Sequence, residues 1–404
     1  MLESPNDPAR TSGSESDTYE VLPALVPSPN PSDSAKSSFF SLGLIPFILN
    51  SLAILAHGIL IYLALGASEG LTSHHPIPRD DHPLYFHSAI VTQSFLKTSG
   101  STAGYDPTFM AGYPKSAVFP ASSTLPELVI AVSSGWVHPA VAYKFYVLIS
   151  AILAPIFITW AAAGLTQSRS WGALSSLCFL LYVWTDFPIQ YVGFGMLPYF
   201  LSIPLALATL RVCCNWLSQG KFQQWAGMTV LLSLTVMVHF TALMVLGPAA
   251  LAAWGWSKRT KKTALLGLTS LLIAALMNAF WWYPGILLAS TKGESGFAFA
   301  HPEGMINRVI KIFWNEAPVE SLLIMGLLAG CPLLFSIRKI ATAGLLGFAV
   351  SGFFWGYAAG AFRSLDFLQP GRHTFAFYSA SSIFTAVLAG ITYETFRRIN
   401  FKGA

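Results

Sequence analysis

Charge is the first thing this sequence lacks. Only 10% of its 404 residues are Asp, Glu, Lys or Arg, against roughly 25% in ordinary soluble chains, while 54% are hydrophobic. A water-soluble enzyme of this length is thereby excluded. Cysteine is scarce as well. Cys178, Cys213, Cys214 and Cys331 sit in or beside apolar runs, two of them adjacent, so the spacing supports neither a disulfide framework nor a zinc site. Walker loops, GxGxxG after a strand and HExxH are missing, which removes nucleotide hydrolysis and zinc chemistry. The net charge of +5 comes without a Lys/Arg run or a basic aromatic patch, so nucleic acid is not a partner.

What the chain has in abundance is apolar length. Runs recur at 42–65, 141–165, 171–186, 190–214, 225–240, 241–257, 263–290, 318–337, 340–361 and 373–394. Backbone at membrane depth must satisfy its own hydrogen bonds, so these runs predict helices and not strands. The stretch 224–256 is too long for one helix. Arg211 and Lys221 precede it, and Lys258, Arg259, Lys261 and Lys262 follow it. If both clusters are cytoplasmic, the stretch crosses twice and turns near His239. The expected fold is therefore an all-α, polytopic bundle of about ten spans with both termini cytoplasmic. Membrane lipids are its expected surroundings.

Residues 1–40 are of another kind. Nine Ser, six Pro and six acidic residues leave too little apolar surface to offset ordering, so this stretch reads as a disordered cytoplasmic tail. A transmembrane domain over 41–396 and a short cytoplasmic tail, 397–404, complete the expected organisation. By the same parity the polar stretch 66–122 is a large first outer loop. Within it, 84–96 reads as a juxtamembrane amphipathic helix and 125–132 as a short helix leading into the second span.

This loop concentrates the candidate chemistry. Its first part runs His74-His75-Pro76-Ile77-Pro78-Arg79-Asp80-Asp81-His82-Pro83. Asp80 or Asp81 suits a general base taking a proton from an acceptor hydroxyl, with neighbours that tune its pKa. Asp81 equally suits the N-cap of the helix starting near Pro83, and the two roles are compatible. The second part, Gly104-Tyr105-Asp106-Pro107 and Gly112-Tyr113-Pro114-Lys115, signals paired tight turns. Tyr105, Asp106, Tyr113 and Lys115 on such turns form a mixture suited to sugar or phosphate contact.

Elsewhere, His239 inside an apolar double span is either functional or a neutral histidine bonded to a carbonyl at a helix break. Trp281-Trp282-Tyr283-Pro284 reads first as an interfacial aromatic belt. Arg363, Asp366, Gln369, Arg372 and His373 crowd the last outer loop. Outward arginines there suit a phosphate or pyrophosphate, unless Asp366 neutralises Arg363 or Arg372. Asp80-Asp81 is not a D-x-D motif, so no metal ligands are assigned, although a divalent cation, Mg or Mn, stays open.

A first span, a large acidic outer loop with an amphipathic helix, and many spans on short loops together resemble the GT-C superfamily of membrane glycosyltransferases. Asp81 with His87, Gly104-Tyr105-Asp106-Pro107, Ala111-Gly112-Tyr113-Pro114, His239 and Gln369-Pro370-Gly371-Arg372 are similar to the bacterial 6-pyruvoyl-tetrahydropterin synthase-related membrane family. That label carries no pterin chemistry. The resemblance implies transfer of a hexosyl or pentosyl unit from a polyprenyl-phosphate donor to an acceptor glycan, lipid or protein on the outer face. It makes Asp81, or else Asp80, the base. Arg372 and Arg363 hold the donor phosphate, and His82, His87, His239 and His373 line the site. A transporter or lipid flippase is the alternative from another class, with His57 and His239 as its buried ionisable groups. A non-catalytic assembly subunit is a third.

Overall fold

In the computed structural model the described residues are 44–65, 70–109, 112–115, 124–185, 188–258, 260–288, 290, 317–359, 362, 365 and 369–402. The tail read at 1–40 and the candidate Arg363 lie outside them. Each of the ten apolar runs is mainly helical where it is described. They are α1 (Leu44–Ala64), α4 (Pro139–Thr166), α5 (Arg169–Thr185), α7 (Leu197–Gln219), α8 (Phe222–Val238) and α9 (Leu243–Gly255), then α10 (Lys261–Met277) with α11 (Ala279–Leu287), α12 (Pro318–Ile337), α13 (Lys339–Phe353) and α14 (Thr374–Lys402). Three shorter helices intervene: α2 (His82–Ser99), α3 (Thr124–Ser133) and α6 (Pro188–Gly193). A two-stranded antiparallel ribbon pairs β1 (Tyr105–Asp106) with β2 (Tyr113–Pro114), so the two expected turns are joined by a short ladder.

By length and composition, six helices among the described residues are able to cross a membrane: α1, α4, α7, α12, α13 with its continuation to Ala358, and α14. The α10–α11 pair, bent by 72°, makes a seventh if counted as one broken span. Helices α5 and α8, of 17 residues each, and α9, of 13, fall short of that length, which is why the count is below the ten read from hydropathy. The break between α8 and α9 falls at His239, as the sequence predicts. There the backbone turns extended (φ −162°, ψ 111°) before a single 3-10 turn, Phe240–Ala242.

Close packing of α14 is built on two small-residue motifs. Gly326 and Gly330 of α12 face Thr385 and Phe384 of α14, and a Cβ at either would overlap them. Gly352 and Gly356 meet α14 from the other side, where a Cβ would lie 2.6 Å from the Phe377 and Thr374 nitrogens. A G-x-x-x-G spacing puts both glycines on one helix face, letting backbones approach where apolar burial alone gives little drive. Past Phe353 the helix widens into a π turn, Phe354–Ala358, where the Tyr357 and Tyr378 hydroxyls are bonded at 2.7 Å. The start of α14, which carries Arg372 and His373 just before it, is thereby fixed.

The α2 helix corrects one expectation. Its buried face is His82, Tyr85, Ala89 and Thr92, not the Leu84, Ile90, Val91, Phe95, Leu96 stripe, whose members are half-buried. The reason is that α2 does not lie on a uniform apolar medium: it packs on α3 and α4, and protein surrounds it on more than one side.

Candidate active site

The segment leading to Asp81 is tied down from below. Lys144 of α4, buried, donates from Nζ to the carbonyls of Gly70 (3.3 Å) and Ser73 (3.1 Å). His74 stacks on His138 at 4.0 Å. Asp80 then takes a left-handed φ of +49°, uncommon outside glycine, which turns the chain into α2.

Asp81 occupies the N-cap position of α2, as one sequence reading has it, but its side chain makes no capping hydrogen bond. Its carboxylate is therefore not spent on the helix. Its backbone N–H donates to the Phe194 carbonyl (3.0 Å), seating residue 81 on the turn between α6 and α7. That turn needs Gly195. Its φ is +84°, and a Cβ there would come 2.8 Å from the His82 nitrogen and 3.1 Å from the Asp81 carbonyl carbon. Gly195→Ala is expected to cost about 1–3 kcal/mol through strain and overpacking. Lower heat resistance in detergent together with lower activity checks it, and a variant matching wild type on both counts would refute the seat.

His82 is fully buried, with both ring nitrogens committed. Nε2 donates to the Val192 carbonyl (3.0 Å), so Nδ1 accepts from the Tyr143 hydroxyl (3.1 Å). Burial pushes its pKa down to about 4, against a smaller upward pull from the Val192 bond. Both ring nitrogens beside Asp81 are thus taken up within the protein.

Across from Asp81 stands the other end of the chain. Tyr199 of α7, 1% exposed, donates its hydroxyl to the Arg372 carbonyl (2.8 Å) and lies 3.3 Å from Nδ1 of His373. Its ring meets His239 (5.3 Å) and His373 (5.7 Å) edge to face. His239 is bonded through Nδ1 to the Thr241 hydroxyl (2.7 Å), a side-chain partner in place of the expected carbonyl. Gln369, at φ +51°, starts the 3-10 turn Pro370–His373 that presents Arg372. The Asp81 carboxyl is pushed above its usual range by burial and then by the charge of Asp80, and Arg372 pulls it back. Carboxylates just past α1 and a guanidinium just before α14 thus share one electrostatic neighbourhood, with His239 and His373 beside it.

The rest of the loop chemistry gathers elsewhere. His87 Nε2 is hydrogen-bonded to Asp106 Oδ2 at 2.7 Å, and Asp106 also accepts from the Thr108 N–H (2.9 Å) and hydroxyl (2.7 Å). Burial pushes the Asp106 carboxyl up, but these hydrogen bonds outweigh it and hold it below the usual range. Lys115 is spent on Glu127 of α3 (2.7 Å) and on the Thr102 carbonyl (3.1 Å). Tyr105 is 63% exposed. Asp106 and Lys115 border a pocket together with Phe109 and Tyr113, and Leu84, His87 and Ser88 form its helix wall.

Tyr199, Tyr143, Glu127 and Gly195 escaped the sequence reading. Nothing in their local pattern separates them from core residues; their roles come from partners far along the chain. His57, the other buried histidine noted from sequence, is satisfied on both sides, donating to the Ala151 carbonyl (3.1 Å) and accepting from the Trp184 indole (2.9 Å). Among the described residues, no three His, Cys, Asp or Glu side chains gather closely enough to hold a metal ion.

No described protein family and no curated protein matches this sequence. Among solved structures, the chain is similar to the oligosaccharyltransferase of Archaeoglobus fulgidus in its apo form, with a TM-score of 0.56 at 11% identity. The match covers 90% of this chain and 52% of the other, so the present chain spans about half the length of that protein. At that identity the likeness establishes the fold alone: an all-α, polytopic helical bundle like that of the archaeal protein.

Proposed function

We propose that this chain is a membrane glycosyltransferase of GT-C type, nearest in its loop motifs to the bacterial 6-pyruvoyl-tetrahydropterin synthase-related membrane family. One observation carries the reading. Asp81, free of capping duty, is seated on the Phe194 carbonyl, and Arg372 from the far end of the chain is held by Tyr199, five positions after Phe194.

A lipid-linked donor enters sideways between helices with its phosphate on Arg372. The acceptor, whether glycan, lipid or protein, comes from the outer face. Asp81 accepts the proton of the acceptor hydroxyl as that oxygen bonds to the anomeric carbon. The bond from the anomeric carbon to the phosphate oxygen breaks, and its electron pair leaves with the polyprenyl phosphate. The guanidinium of Arg372 stabilises that developing charge in a site sheltered from bulk water. His82, Tyr143 and the 194–195 turn hold Asp81, and Tyr199 holds the Arg372 backbone. Arg363 is a second phosphate ligand in this reading. The membrane is the bacterial inner membrane, with both termini in the cytoplasm.

Two carboxylates without a third donor do not make a good cation site, so no step here is routed through Mg or Mn. The test is transfer from radiolabelled polyprenyl-phosphate hexoses and pentoses by protein purified in lipid, with and without chelator. Wild type should transfer from at least one donor, and Arg372→Met should not. No transfer from any donor would remove the reading in favour of a non-enzymatic subunit.

A further inference from the structure

The pocket walled by Leu84, His87 and Ser88 of α2 does not include Asp81 and takes no part in the step just described. It is a half-open cleft between α2 and the β1–β2 ribbon, of about 300 Å³ with open solvent included. Its lysine is paired with Glu127, and the Asp106 carboxylate stands beside His87 as a further negative group. An anion finds no cation to spare. The hydrogen-bonding capacity that is left points the same way. Asp106 Oδ1 already accepts two bonds from Thr108, whereas Oδ2 accepts one from His87 and keeps a second lone pair. With Nε2 donating to Asp106, the Nδ1 of a neutral His87 is an acceptor too. The wall therefore asks for a ligand that donates. Phosphate offers acceptors; a polyol offers donors. Phe109 adds an apolar face, stacked on His87 (5.6 Å) and met edge-on by Tyr113 (6.2 Å). Aromatic faces beside a few placed polar groups are what a ring with one apolar face and several hydroxyls requires.

We infer that this pocket is a sugar-ring site, with Asp106 and His87 accepting from ring hydroxyls and Phe109 and Tyr113 covering the C–H face. The site is separate from Asp81 and binds without chemistry. It rests on the transfer reading for one point alone, that the ring held here is the acceptor's.

The test uses the full chain in lipid nanodiscs with no lipid donor present. Saturation-transfer NMR and calorimetry are run with methyl hexosides and methyl pentosides, and with inorganic phosphate as competitor. Wild type should bind at least one glycoside, and phosphate should not displace it. Asp106→Asn keeps the Oδ1 acceptor for Thr108 but turns the Oδ2 position into a donor. It should weaken binding by about tenfold or more, as a lost hydrogen bond to a charged group dictates. Phe109→Ala, which leaves every bond to Asp106 in place, should weaken it as well. Absence of glycoside binding by wild type, unchanged binding in both variants, or displacement by phosphate would each overturn the site. Binding without any transfer in the same preparation would sink the Asp81 reading and leave this one standing. Transfer by a protein that binds no glycoside would do the reverse.

Discussion

Replacing Asp81 by Asn should lower kcat for sugar transfer by about 10²–10⁴-fold, the contribution of a positioned general base. The protein should keep its fold. The carboxylate makes no capping bond, and the contact seating residue 81 is a backbone N–H on the Phe194 carbonyl, which any residue supplies. An amide of the same shape therefore changes the chemistry and little else. The pH profile separates this role from a structural one. A base works once deprotonated, so activity falls on the acid side as Asp81 takes up a proton. Burial and Asp80 raise that limb above the usual carboxylate range, and Arg372 lowers it. Asp80→Asn removes a like charge, so the limb should move to lower pH while kcat on the plateau stays near wild type. Any variant that removes the Arg372 charge should move it up if residual activity allows the measurement. Initial rates against pH for wild type, Asp80→Asn and Asp81→Asn decide the matter. Full activity in Asp81→Asn would discard the proposed base.

Much of the fold was legible because one force dominates it. A segment such as 139–166 that is apolar for its whole length has a single way to satisfy its backbone in lipid, and hydropathy finds it. The break at His239 was readable from flanking lysines and arginines, without knowing what it packs on. Helix length was less visible: α9 ends at Gly255 after 13 residues, though apolar residues continue on both sides of its break. The candidate site stood out in the sequence through its carboxylates and Arg372, which are rare types in this chain. It was illegible in Tyr199, whose hydroxyl reaches a carbonyl 173 positions away. Pairings of that kind are set by packing, and a tyrosine in an apolar helix looks the same with or without them. The loop reading grouped His82 with His87 as ligand contacts. Five positions apart on one helix, they face different sides, the first into the core and the second into the pocket.

Lys115→Met should cause the largest loss of stability, about 3–5 kcal/mol, because it strands a buried partner charge. Lys115 and Glu127 are 10% and 8% exposed in their side chains and 2.7 Å apart. Without the ammonium, Glu127 would keep the Ser88 hydroxyl (2.9 Å) as its hydrogen-bond donor. The damage should spread, since Lys115 also donates to the Thr102 carbonyl, and the Thr102 hydroxyl in turn donates to the Phe280 carbonyl at the start of α11 (3.0 Å). One ammonium thus joins the ribbon to α3 and, through Thr102, to the bent α10–α11 pair. The double variant Lys115→Met, Glu127→Gln removes both charges and keeps an acceptor for Ser88, so it should recover most of the loss. Thermal unfolding in detergent of the wild type, both single variants and the double gives the coupling between the two residues directly. Additive losses would mean the pair is solvated and structurally idle. Recovery of stability in the double variant with transfer still abolished would instead assign Lys115 a second duty on the ligand, which its two internal bonds argue against.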